Sequence, residues 1–401
     1  MHADDCRTDD PLSAYLDGIG AHLRDKRQRA SFAMYALGLL SDGERKSMEP
    51  IAARASGSAD RTHATHEKLI HFLAASPWSD APVRAYATRY AVDAMTAHGP
   101  IRTWVVDDTG FLKQGKLSPG VQRQYTGSAG KTTNCQIGVS LVLATDNAHV
   151  TADFQLYIPE SWAQDRERCR RAYIPDDVEY APKWCLALGM IERAVADGLP
   201  PGVVLADCDY GHKTAFRDAL ETLGLQYAVE VQSTTMVSSC VGNSGRLGDR
   251  MSVGELGAGL RSKLRTVTWR QGTKAVLRSR FARIRVVVDR DDGLRPPQWL
   301  LIEWPEGEPA PTRYVLSTMP KSTSCKQLVR TFKERWRIER SYEDLKGELG
   351  LDHYEGRSYI GWHHHVSVVL ACYAFLVAEH ARSFPPSARR ARGARAITNA
   401  A

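Results

Sequence analysis

The sequence predicts an α/β protein, a mixed sheet flanked by helices, with a helical N-terminal region and a β-rich interruption late in the chain. Three observations carry that reading. Apolar residues recur at three- and four-residue spacing through roughly the first 98 residues. From Thr103 the pattern changes to short runs rich in Val, Ile, Leu and aromatics. Strand-like and helical runs then alternate as far as Val231, which places helices on the faces of a sheet.

The elements follow in order. Leu12, Tyr15, Leu16, Ile19 and Leu23 mark one helical face, and Phe32, Tyr35, Ala36 and Leu39 mark another. Ser41–Asp42–Gly43 is a turn, after which Glu44 to Ala53 restarts a helix. Arg61, His63, His66 and Lys68 add basic groups to the next segment. Short helices with basic residues suit a DNA-binding head, and suit a structural cap or a dimerisation unit equally. Strands are predicted at 103–108, 135–144, 150–158, 203–207 and 227–231, with helices at 184–196 and 214–223. Residues 233 to 320 hold turn clusters, a Pro-rich stretch and β-like runs at 264–269, 284–288 and 300–304. Helical periodicity resumes at Cys325 and is predicted to run unbroken through Lys346. The expected division is 1–98 helical, 99–232 the first part of the core, 233–322 a β-rich insertion, 323–381 the final helices and 382–401 a basic, unfolded tail.

Composition narrows the class. The net charge of +7 among 401 residues suits a polyanionic partner without requiring one. Eight scattered cysteines form no CxxC pair, which argues against a zinc ribbon or disulfide framework and for free thiols in a reducing cytosol. The acidic start MHADDCRTDD is no signal peptide. Val366–Ala378 is the longest apolar run and falls short of the ~18–20 residues a membrane span needs, so it reads as a buried core helix. The expectation is a soluble, cytoplasmic protein with no membrane partner.

The chemistry-bearing residues sit where elements end. Asp107 and Asp108 close a strand-like run, and on a strand they face opposite ways, so only one serves a given site. Asp207 ends the run VVLAD, at the edge where open α/β sheets place ligands. In FKERWRIERSYEDLK, Arg335, Glu339 and Lys346 stand at helical offsets of four and seven, a carboxylate between two cations on one face. Ordinary ion pairing on a solvated helix yields the same spacing. Two strand-end aspartates and a helical glutamate are also a ligand set for a pair of divalent cations acting on a phosphodiester, because magnesium prefers hard oxygen donors.

Taken together, the segments VVDDTGFLKQGKLSPGVQRQYTGSAGKTTNCQIGVSL, VVLADCDYG and RWRIERSYEDLKGELGLDHYEGRSYIGWHHH resemble the DDE transposases of the IS4 lineage, and within it the IS701 family. The lineage's Y-x2-R-x3-E-x6-K pattern stands here as Phe332-x2-Arg335-x3-Glu339-x6-Lys346, with Phe for Tyr. Asp209 stands where a small residue is expected. The resemblance runs from about Arg102 to Glu379. It implies an RNase H-like catalytic domain interrupted before its last catalytic helix, with Asp108, Asp207 and Glu339 as catalytic, metal-binding triad. Asp107 is then the non-catalytic neighbour. The resemblance further implies two Mg²⁺ ions, with Mn²⁺ as a substitute, and Arg335 and Lys346 either contacting DNA phosphates or steadying the catalytic helix. Double-stranded DNA is the implied partner, as terminal inverted repeats and as target, with a homodimer in the synaptic complex of a bacterial, nucleoid-associated protein. A non-cleaving DNA-binding protein and a nuclease without strand transfer are the rival readings.

Three further features read as secondary. Gly127 to Thr132 lacks two residues of a phosphate-binding loop, leaving Lys131 as a loop lysine close to DNA. His363–His365 point in different directions on a helix, which suits a face near DNA or plain surface better than a shared metal. Trp299 and Trp304 read as core residues rather than base-stacking ones.

Overall fold

In the computed structural model, residues 10–241, 246–272, 275–290 and 293–385 are described. They form two compact units. The first comprises the residues up to Pro100, Asp108–Pro182 and those from Arg340 onward; the second comprises Ile101–Asp107 and Lys183–Glu339.

The first unit is built on its last helix, Tyr359–Ser383, whose residues from Gly361 to Ala374 are buried. Asp80–Thr96 packs along it, together with Lys26–Leu40, Ala59–Ala74 and the strand His149–Leu156. This apolar helix is long enough to cross a bilayer, yet 78% of its most apolar window is buried inside the protein, in keeping with a core helix. Local chemistry starts the N-terminal helices. Asp10 caps Pro11–Gly20 by accepting from the backbone N–H of Leu12 and Ser13, and Asp25 caps Lys26–Leu40 in the same way. Polar bonds pin the packing: Tyr15 donates to the Ala371 carbonyl at 2.8 Å, and buried Arg84 pairs with Asp80 and with Asp153 at 3.2 Å.

Strands Gln122–Thr126, Lys131–Ala144 and His149–Leu156 run antiparallel in this unit, with Thr126 opposite Lys131 and Ala144 opposite His149. The stretch first compared with a phosphate loop is the hairpin turn between the first two, and Gly130 supplies its left-handed backbone (φ 63°).

His363, His364 and His365 depart from the surface expectation: all three are buried. Their aromatic packing explains it. His364 stacks on Trp78 at 3.9 Å between centroids, with its ring nitrogens 2.8 Å from the Leu73 carbonyl and 2.9 Å from that of Trp78. His365 lies 2.9 Å from the Tyr35 hydroxyl and 3.2 Å from the Leu351 carbonyl.

The second unit holds the mixed sheet. Thr103–Val105 pairs in parallel with Val203–Leu205, and Val204–Ala206 in parallel with Tyr227–Val229. Beyond these the sheet turns antiparallel: Tyr227–Val231, Arg313–Ser317, Gln298–Glu303 and Val276–Arg290 follow in order. Segment 233–320 therefore extends the same sheet, with Met236–Val241 and Arg265–Gln271 both pairing with Val276–Arg290. Only 284–288 of that 15-residue strand was legible as β, because Arg278, Arg280 and Arg283 interrupt the run before it. Arg283 and Arg285 lie over the Trp299 ring at 4.2 and 5.0 Å. Trp299 and Trp304 are buried, as core residues are. The Arg-rich tail lies outside the described residues from 386 on, while Arg382 and Ser383 still belong to the last helix.

Burial holds the imidazoles of His363 and His365 down to about 4, against ~6.5 in an unfolded chain. The folded form thus binds fewer protons than the unfolded one between these values. Stability is full above about pH 6.5 and falls as pH drops toward 4, by up to ~1.4 kcal/mol per pH unit for each histidine. Urea unfolding across that window is expected to show the decline, with a flatter slope in His363→Met and His365→Met.

Candidate active site

An open cleft in the second unit is lined by Asp207, Cys208, Asp209, Glu230, Arg313, Phe332, Lys333, Arg335, Trp336 and Glu339. Backbone geometry sets its wall. The buried strand Val203–Ala206 delivers Asp207 at its C-terminal end, and Asp207 Oδ1 accepts the Asp209 N–H at 2.9 Å, capping the turn Cys208–Gly211. That turn lies tight against the next strand: a Cβ on Gly211 would sit 2.2 Å from the Glu230 carbonyl oxygen. Glycine is the residue that permits this approach.

Arg335 enters from a turn between two helices rather than from within one. The sequence predicted one helix from Cys325 through Lys346; the structure has two, Cys325–Lys333 and Trp336–Gly347. Between them Glu334 and Arg335 donate to Thr331 and Phe332, three residues back, at 3.1 and 3.4 Å. Three-residue bonds tighten the turn and re-aim the side chains around it. Arg335 Nη2 lies 3.2 Å from Asp107 Oδ2 and 3.8 Å from Asp207 Oδ2, and Nη1 lies 3.7 Å from Glu230 Oε2. Glu230 also meets Arg313 at 2.9 Å, and Glu303 meets Lys333 at 2.7 Å. The negative character of the cleft reaches Cys208, whose thiol is pushed up to about 11 by burial first and then by Glu230, Asp207 and Asp209.

Of the residues singled out from sequence, Asp207, Arg335 and Glu339 line this one cleft, the last exposed. Asp108, Lys131 and Lys346 belong to the first unit. Asp108 adds to the rise of the Tyr157 hydroxyl to about 12, which burial and Tyr180 mainly cause. Lys131 is exposed at the start of its strand. Lys346 donates to Thr109 Oγ1 at 2.9 Å and to the Gly110 carbonyl at 2.8 Å, and burial lowers its affinity for a proton. Sequence reading missed Glu230 and set Asp107 aside. The signal for Glu230 was available: a single carboxylate inside the apolar strand YAVEV.

The donor chemistry of the cleft suits a hard divalent cation. Asp207, Asp209, Glu230 and Glu339 offer oxygen ligands alone, the kind magnesium takes. A cationic nitrogen, Arg335 Nη2, already stands within 4 Å of Asp207. Among the described residues no three His, Cys, Asp or Glu side chains converge closely enough to hold an ion as they stand; carboxylates here are turned to arginine instead.

The chain belongs to the family of DDE superfamily endonucleases, which it matches over residues 19–276, a span that includes Asp108 and Asp207. It is also 27% identical over 214 residues to a probable transposase for insertion sequence element IS701 from Microchaete diplosiphon. That match covers 53% of this chain, and the chain spans about half (51%) of the length of this curated relative.

Replacing Lys346 by Met keeps the aliphatic stem and removes both charged hydrogen bonds. A loss of about 1–3 kcal/mol in unfolding free energy is expected, measured by urea denaturation, with Thr109→Val giving a smaller loss.

Proposed function

We propose that this chain is a DNA transposase, cutting at the inverted-repeat ends of an insertion sequence and joining those ends to a target duplex. The observation that carries the reading is the cleft holding Asp207 at a strand end and Glu339 at a helix start, with Arg335 between their elements. Family membership and the relative's printed name support it. Asp207 and Glu339 are the proposed ligands from this cleft, and Asp108 joins them by its place in the motif, directly before Thr109. Two Mg²⁺ ions, or Mn²⁺ in their stead, would supply charge neutralisation at the scissile phosphate and the leaving oxygen.

The chain's own groups do the rest. Arg335, Lys333 and Arg313 give the cleft wall cations that can meet phosphate oxygens and orient the backbone of the substrate. Lys131 and Lys346 are proposed DNA contacts, with steadying of the catalytic helix as the alternative role of Lys346. The N-terminal helices, 1–98, are the proposed DNA-binding head, and 233–322 the segment that extends the sheet ahead of the catalytic helices at 323–381. Two ends must be held together for joining, so the working species is a homodimer on double-stranded DNA, in the bacterial cytoplasm.

A nuclease that cuts without joining differs only in its product. A non-cleaving DNA-binding protein is disfavoured, since a cleft with four carboxylates repels phosphate and serves binding poorly. The test is cleavage of labelled DNA bearing the native flanking ends, with Mg²⁺, by the unaltered chain and by Glu339→Gln. Cutting at the element tips followed by joining, abolished in the variant, is the expected result. Cut ends that never join leave the nuclease reading, and tight binding without cutting by either protein overturns the enzyme.

A further inference from the structure

Asp107 and Glu230 lie outside the motif, yet both face Arg335. The guanidinium is planar, with its two terminal nitrogens turned apart. Asp107 meets Nη2 at 3.2 Å, and Glu230 meets Nη1 at 3.7 Å, so the group is gripped from both ends. Asp207 shares the Nη2 end at 3.8 Å, the longest of the three approaches. Exposure separates Asp207 from the other two. The side chains of Arg335, Asp107 and Glu230 are 16%, 20% and 17% exposed, whereas that of Asp207 is 32% exposed. Glu230 is itself braced by Arg313 at 2.9 Å across neighbouring strands, with Val315 opposite Glu230 in the register.

We propose that Asp107 and Glu230 are positioning residues that retain Arg335 at the cleft wall, so that Asp207 can exchange its arginine contact for a divalent cation. Three carboxylates against the guanidinium groups of Arg335 and Arg313 leave one negative charge in excess, which favours a further cation. Asp207 is the most solvent-accessible of the three carboxylates. Without either brace, the guanidinium falls back on Asp207 and competes with the incoming ion. The inference rests on the reading of Asp207 as a metal ligand.

The test is binding of Mn²⁺ alone to the full chain, followed by the electron paramagnetic resonance signal of the free ion, with circular dichroism to confirm folding. Asp207→Asn is expected to lose binding. Asp107→Asn and Glu230→Gln are each expected to weaken it about tenfold, the scale on which groups behind metal ligands act, and Glu230→Asp to recover most of it. Arg335→Ala is expected to bind at least as tightly as the unaltered chain, and in that background each further substitution costs clearly less than it does with Arg335 present. Unchanged binding in Asp107→Asn and Glu230→Gln overturns the proposal. So does an equal loss in the Arg335→Ala background, which makes these carboxylates ligands themselves. Binding that Asp207→Asn leaves intact overturns instead the metal-ligand reading beneath it.

Discussion

The cleft depends on one guanidinium. Asp107, Asp207 and Glu230 stand within 4 Å of Arg335, and like charges gathered in partly dry surroundings repel one another. Arg335 turns that repulsion into attraction.

The backbone makes this arrangement possible. Parallel pairing brings the Thr103–Leu112, Val203–Ala206 and Tyr227–Val231 strands side by side, so Asp107, Asp207 and Glu230 emerge near one another. Gly211 lets the capped turn after Asp207 settle on the last of these strands. The tight turn at Glu334–Arg335 then sends the arginine into the cleft and starts a second helix with Trp336 and Glu339 near its beginning. A straight helix gives up that local turn.

Much of this was legible in the sequence. The short apolar strands at 203–207 and 227–231, the buried last helix and the place of Asp207 at a strand end all follow from hydrophobic pattern, which is strong where a strand is covered on both faces. The motif joining Arg335, Glu339 and Lys346 was legible too, but not its geometry. Helical offsets predict one continuous face, and no local propensity marks the break after Lys333, where burying Phe332 and Ile338 and directing Arg335 into the cleft are tertiary demands. Val276–Arg290 hid behind arginines whose charge is met by ring faces and carbonyls. His364 and His365 read as polar because partners such as Trp78 and Tyr35 lie far away in the chain. The pairing of Asp107 and Glu230 with Arg335 stayed unread, since ion pairs between distant residues leave no periodic trace.

The most direct measurement of the central claim is the thermal midpoint of Arg335→Ala beside that of the unaltered chain, each with and without Mg²⁺. If Arg335 neutralises these carboxylates, the variant melts lower in the absence of divalent cations and gains more from Mg²⁺ than the unaltered chain does. Equal midpoints without metal, or equal gains with it, would contradict the account.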